Sequence, residues 1–132
     1  IRRATHRFEN WAQSLVSRDL GCSEKLEEFC LTFRKFGTDS SKSALEALET
    51  DFKTIPEEMQ KETCEFVSFV LQWLENLLED GKEQGAFNFP GKARDQALMT
   101  AASLQGAVQL VRATTISSFD AIMKQIARSV HR

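Results

Sequence analysis

The 132 residues contain no tyrosine, although they hold ten phenylalanines and two tryptophans. Such an aromatic set packs or lines an apolar space without hydroxyl handles. Histidine is scarce too, with His6 and His131 at the two ends, and the three cysteines, Cys22, Cys30 and Cys64, are an odd number without CxxC spacing. No metal site is legible in that pattern, and the thiols read as buried or half-buried side chains of a reducing cytoplasm. No histidine stands mid-chain to act with Cys30 or Cys64, no glycine-rich phosphate loop follows a strand, and the acidic residues are spread along solvated faces. Neither an enzyme nor a cofactor is expected. No apolar run reaches the length that spans a bilayer, so no membrane partner is expected. A formal net charge of −2 leaves no basic excess to draw nucleic acid. The opening IRRATHRFENW is basic but leads into an amphipathic pattern, unlike a signal peptide. Alternation of the strand type goes no further than AFNF at 86–89, and there is no repeat or low-complexity segment.

What is present is helical periodicity in a chain of a length suited to one domain. The longest stretch runs from Pro56 to Gly85, where Met59 and then Phe66, Val70, Trp73 and Leu77 fall on one helical face, at steps of seven, four, three and four. A second stripe, Val67, Phe69, Leu71, Leu74 and Leu78, widens the apolar arc beyond what a surface helix needs, which predicts burial on two sides. Pro56 suits the first helical position, Glu57 and Glu58 complement the positive end of the dipole, and Gly85 suits a left-handed stop.

The remaining segments are shorter. Residues 1–17 carry Phe8, Trp11, Ala12, Leu15 and Val16 at helical spacing, with Arg2, Arg3, His6, Arg7 and Glu9 between them; the basic cluster reads as a solvated face, ahead of a contact with a phosphate backbone. Ser23 is expected to cap a second helix that turns Leu26, Phe29, Cys30 and Phe33 inward and ends at Gly37. A polar loop from Thr38 precedes a helix at about 43–53, which Thr54, Ile55 and Pro56 join to the long one. After the long helix, AFNFPG reads as an extended connector with one or both phenylalanines tucked against the bundle. A helix at 92–114 then sets Ala97, Ala101, Leu104, Val108 and Val111 on one face and the small stripe Ala102, Gly106 and Ala113 on another. The last helix, about 117–130, shows Phe119, Met123, Ile126 and Val130 at strict spacing, with Ile122 alongside. An all-α bundle of about six helices is predicted.

This order of features resembles the C-terminal regulatory domain of the TetR family of bacterial transcriptional regulators. LLEDGKEQGAFNF (77–89) is similar to the way that family ends its longest regulatory helix, and ALMTAASLQGAVQLVRAT (97–114) to the helix that follows. IPEEM (55–59) resembles the opening of the long helix, and RFENW (7–11) the helix leading out of the DNA-binding domain. The resemblance covers nearly the whole chain, residues 1–132, as a single ligand-binding and dimerisation domain, with 1–17 the remnant of the connecting helix. One departure stands out: the family's helix-turn-helix, roughly fifty residues ahead of that helix, is missing from this chain. The chain begins with Ile1 and is read as a piece of something longer, so that DNA would be a partner only through that missing domain.

The resemblance implies that a small apolar effector enters between the connecting helix and those after it, and that two copies pair through their last two long helices as a four-helix bundle about a two-fold axis. Trp11, Phe29, Phe33, Phe66, Phe69, Val70, Trp73 and Leu104 are the expected ligand-binding residues, with Phe66 and Trp73 foremost; as residues they fit a filled core as well. Gln72, Gln105 and Ser68 are the scarce polar candidates, expected at a surface or interface. The homodimer seam is expected at Met99, Ala102, Gly106, Gln109, Leu110, Phe119, Met123 and Ile126; Phe119, Met123 and Ile126 fit core and seam equally, and the small stripe favours the seam. The rival reading is a helical adaptor whose apolar stripes meet a partner protein.

Overall fold

The computed structural model describes residues 2–38 and 56–131, which form five α-helices. These are α1 (Arg2–Ser17), α2 (Cys22–Thr38), α3 (Glu57–Glu83), α4 (Ala93–Ala113) and α5 (Ile116–Val130). The helix expected at 43–53 and most of the polar loop before it lie outside the described residues. Helix boundaries agree with the periodicity to within one or two residues. Ser23 is not a cap, because the helix already begins at Cys22, and α2 runs one residue past Gly37.

The long α3 begins at Glu57 with Pro56 as its N-cap residue and Glu57 and Glu58 in its first turn, so the acidic pair faces the unpaired amides there. Its buried stripe is Thr63, Val70, Leu74, Leu77, Leu78 and Gly81. Both other long contacts are antiparallel to it. On one side the Cys22 thiol meets the Gln84 carboxamide at 3.6 Å while Phe29 lies against Trp73, so α2 runs down α3 as α3 runs up. On the other, a short connector folds α4 back, and Arg94 pairs with Glu75 at 3.5 Å. Helix α1 crosses the middle of α3, where Phe8 meets Phe66, Phe69 and Trp73.

The connector works as a clamp. Gly81 has no Cβ, and the ring of Phe87 occupies the place a Cβ would take. The Phe87 amide donates to the Gly81 carbonyl at 3.0 Å, and Gly85 and Gly91 turn the chain at φ of +81° and +80°. Lys82 lies 4.5 Å from the Phe89 ring centroid and donates to the Gly91 carbonyl at 3.1 Å, which fastens the connector to the end of α3. The Asn88 amide donates to the Val130 carbonyl at 2.6 Å, tying down the end of α5. Gln96 donates to Ser129 at 2.9 Å, and Arg34 to Asp120 at 2.8 Å, so α5 is held to both α4 and α2.

One core unites these elements: Leu26, Phe29, Cys30 and Phe33 from α2, the α3 stripe, Phe87 and Phe89, Ala97, Leu104, Ala107 and Val108 from α4, and Phe119, Ile126 and Val130 from α5. Each fully buried large side chain contributes about 1.5–3 kcal/mol by leaving water. Phe87 and Phe89 are each 2% exposed, which makes the extended piece part of the core.

Candidate functional site

Most of the expected ligand-binding residues come together, although they form a packed cluster of rings. Trp73 stacks on Phe29 with centroids 5.5 Å apart and lies 5.1 Å from Trp11; Phe33 follows Phe29 at 5.2 Å. The hub is Phe8, which the sequence reading gave to the α1 face without placing it in the site. Its ring meets Trp11 and Trp73 within 5.5 Å, stands edge-on to Phe29, Phe66 and Phe69, and so ties α1, α2 and α3 together. The available signal was its three-residue spacing from Trp11, which shows a shared face but not what covers it. Val70 and Leu104 belong to the same core, and Phe69 sits at the edge, 37% exposed. Edge-to-face pairs of this kind add about 0.5–1.5 kcal/mol beyond area alone.

The chemistry of this interior is apolar and neutral. The buried ionisable side chains among the described residues are thiols, and burial pushes Cys30 up to about 12, with Glu27 adding to the rise. Cys22 is also raised, chiefly by burial. Both thiols stay protonated near neutral pH, so neither is an activated nucleophile. Of the polar candidates, Gln72 and Ser68 are exposed, and Gln72 donates to Asn76 at 3.0 Å along its own helix. Gln105 departs from expectation. Its side-chain nitrogen and oxygen are both buried and have no hydrogen-bond partner among the described residues.

The second candidate region is the outer face of α4 and α5. Met99 is 47% and Leu110 50% exposed, Ala102 and Gln109 are exposed, and Gly106 and Met123 are half-buried. Beside Met99, a shallow groove of about 390 Å³ runs between the helices, lined by Ser103, Ala121, Ile122, Gln125, Ile126 and Ser129. For Phe119 and Ile126, whose spacing fits core and seam equally, burial within the single chain fits the core reading. Phe119 is 0% and Ile126 4% exposed, both in the core of the single chain, because α5 turns that stripe toward α2 and α4. The outer stripe of α5 is one step round the helix, where Ala121 and Gln125 are exposed and Ile122 is half-buried. A further open hollow at the start of α3 is lined by Glu57, Glu58, Gln60, Lys61 and Cys64. Neither hollow is lined by an expected ligand-binding residue.

No protein-family model matches this chain, and no curated protein matches it. A solved structure does: the crystal structure of a transcriptional regulator of the TetR family from Agrobacterium tumefaciens, with a TM-score of 0.86 at 23% identity. The match covers 99% of this chain and 70% of that chain. The five helices and their connector therefore have the fold of that regulator over nearly their whole length.

Proposed function

We propose that these residues are the effector-binding and dimerisation domain of a TetR-like transcriptional regulator, acting on DNA through a helix-turn-helix joined ahead of α1. The observation that carries the reading is the shared fold over 99% of the chain with a regulator of that family. Its mechanism is linkage. Helix α1 is held to α2 and α3 by the rings around Phe8, so an apolar ligand that enters among Trp11, Phe29, Phe66 and Trp73 has to part α1 from α3. Such a ligand biases the position of α1, and of whatever α1 carries, by its differential affinity for the parted arrangement and no more. Self-association through the outer stripe of Met99, Ala102, Gly106 and Leu110 couples two such movements in a homodimer.

The exposed apolar groove between α4 and α5 also suits the adaptor reading, in which it takes a partner's helix. Titration with naphthalene, followed by tryptophan emission and melting temperature, separates the two. A regulator takes up the probe stoichiometrically and melts higher, by about 2.7 kcal/mol of stabilisation at a hundredfold excess over Kd. An adaptor is unmoved by the probe and gains stability from a protein or peptide alone. Reading the gene upstream of the Ile1 codon tests the DNA-binding half of the proposal.

A further inference from the structure

Three buried polar side chains lack a partner among the described residues: Thr63 on α3, and Thr100 and Gln105 on α4. Four threonine and glutamine side chains among the described residues are satisfied. Thr32 and Thr114 donate to the carbonyl one turn back, and the Gln72 and Gln96 carboxamides each bond a neighbouring side chain. A buried carboxamide with neither its donors nor its acceptor engaged is costly, since each group left unmade costs about 1–3 kcal/mol. Buried polar groups are normally paired, so such an exception calls for a specific cause.

The topology puts two of these groups at one level. Arg94 and Glu75 fix the antiparallel register of α3 and α4. A dozen residues back from Glu75 lies Thr63, and a dozen on from Arg94 lies Gly106, next to Gln105. Arg94, Leu98, Ala101 and Gln105 follow one another at three- and four-residue steps, so Gln105 sits on the flank of α4 that Arg94 holds against α3. Thr100 is about a turn and a half nearer the connector. Thr63 and Gln105 therefore lie at one level of the α3 and α4 pair, whereas Thr100, about 140° round α4 from Gln105, lies toward the side where Gln96 meets Ser129 of α5.

Resting on the effector reading above, we propose that Gln105 and Thr63 receive the polar head of the effector, and that this head is an uncharged group with a donor and an acceptor side by side, a primary amide or lactam. A carboxamide presents an N–H and a C=O on one edge, which pairs with a complementary edge through two hydrogen bonds. The Thr63 hydroxyl donates or accepts the third. A charged head fits poorly, because the buried ionisable groups described here are thiols, and an unpaired ion at a buried site is strongly disfavoured. The effector is thus an amphiphile, its tail apolar and its head neutral.

Three probes with a common seven-carbon tail test this by calorimetry on the whole chain: octanamide, methyl octanoate and, at pH 7, octanoate. Octanamide binds the parent about tenfold more tightly than the methyl ester, which lacks the donor, and octanoate binds weakest. Gln105→Leu removes the preference for the amide while keeping affinity for the ester, and Thr63→Val reduces the preference in part. Without ligand, Gln105→Leu melts higher than the parent, because an unpaired amide is replaced by an apolar group. Equal affinity for the three probes, a preference that survives in Gln105→Leu, or a lower melting temperature for that variant overturns the inference and leaves the effector reading intact. Failure of all three probes to bind also overturns it; only if naphthalene too fails to bind does the effector reading fall with it.

Discussion

Gly81 shows how much a single missing carbon decides. An alanine Cβ there would clash with one edge of the Phe87 ring, 2.9 Å from Cγ and nearer still to Cδ2 and Cε2, and Phe87 is fixed by the hydrogen bond from its amide to the Gly81 carbonyl. Helix propensity favours Gly81→Ala by roughly 1 kcal/mol, whereas overpacking costs about 1–3 kcal/mol. The clash should win, and urea denaturation is expected to show a less stable variant. The cysteines separate on the same scale. Cys64 is exposed, while Cys22 and Cys30 are buried with their thiols raised toward the protonated form. At pH 8 an aromatic disulfide reagent should modify Cys64 quickly in the native chain and all three thiols in denaturant; fast native labelling of Cys30 would contradict the burial described here.

Between elements, the ion pair of Arg34 and Asp120 is the polar tie from α2 to α5. The Arg34 hydrogen bond, ahead of the opposing effect of burial, holds the Asp120 carboxyl below its ordinary range. A carboxyl with a lowered native pKa contributes its stability above the unfolded pKa, and loses it as pH falls through the native value. Asp120→Asn should therefore be less stable than the parent at pH 7 and indistinguishable from it at pH 2, by thermal melts at the two pH values. The difference should be small, since both side chains face solvent. The packing of α1 on α3 is carried by rings instead. Truncating Trp73 to alanine removes partners of Phe8, Trp11 and Phe29 together, a change expected to cost about 3–5 kcal/mol, and calorimetric unfolding checks it.

For the whole molecule, the question is what covers the α4 and α5 face. If two copies pair there, an arginine at Met99 or Leu110 puts like charges across the two-fold axis, and light scattering should show the parent as a dimer and each variant as a monomer. Both side chains are about half exposed, so neither change should disturb the protomer core. Phe119 is unsuited to this test. It is fully buried within one chain, and Phe119→Arg is expected to unfold the protein by placing an unpaired charge in its core. A monomeric parent would remove dimerisation from the proposed function and leave the groove to a different partner.

The sequence by itself determined the helices. Apolar residues at three- and four-residue spacing, Pro56 with two glutamates after it, and the glycines at 85 and 91 mark α3, α4 and their connector to within one or two residues. These signals are local, set by backbone sterics and by the side a residue faces. It also marked the aromatic residues of α1, α2 and α3 as a group. The tertiary structure decided which stripe meets which. Periodicity puts Phe119 and Ile122 on faces only one step apart, and only the packing of α5 on α2 and α4 buries the first and half-exposes the second. Phe8 became the hub of the ring cluster because α1 crosses the middle of α3, and crossing points are not written in either helix alone. Gln105 is the sharpest case: polar residues are expected at the surface, yet its amide nitrogen and oxygen are both buried without a hydrogen-bond partner among the described residues. A hydrogen-bonding deficit exists only between elements, so only the folded chain could reveal it.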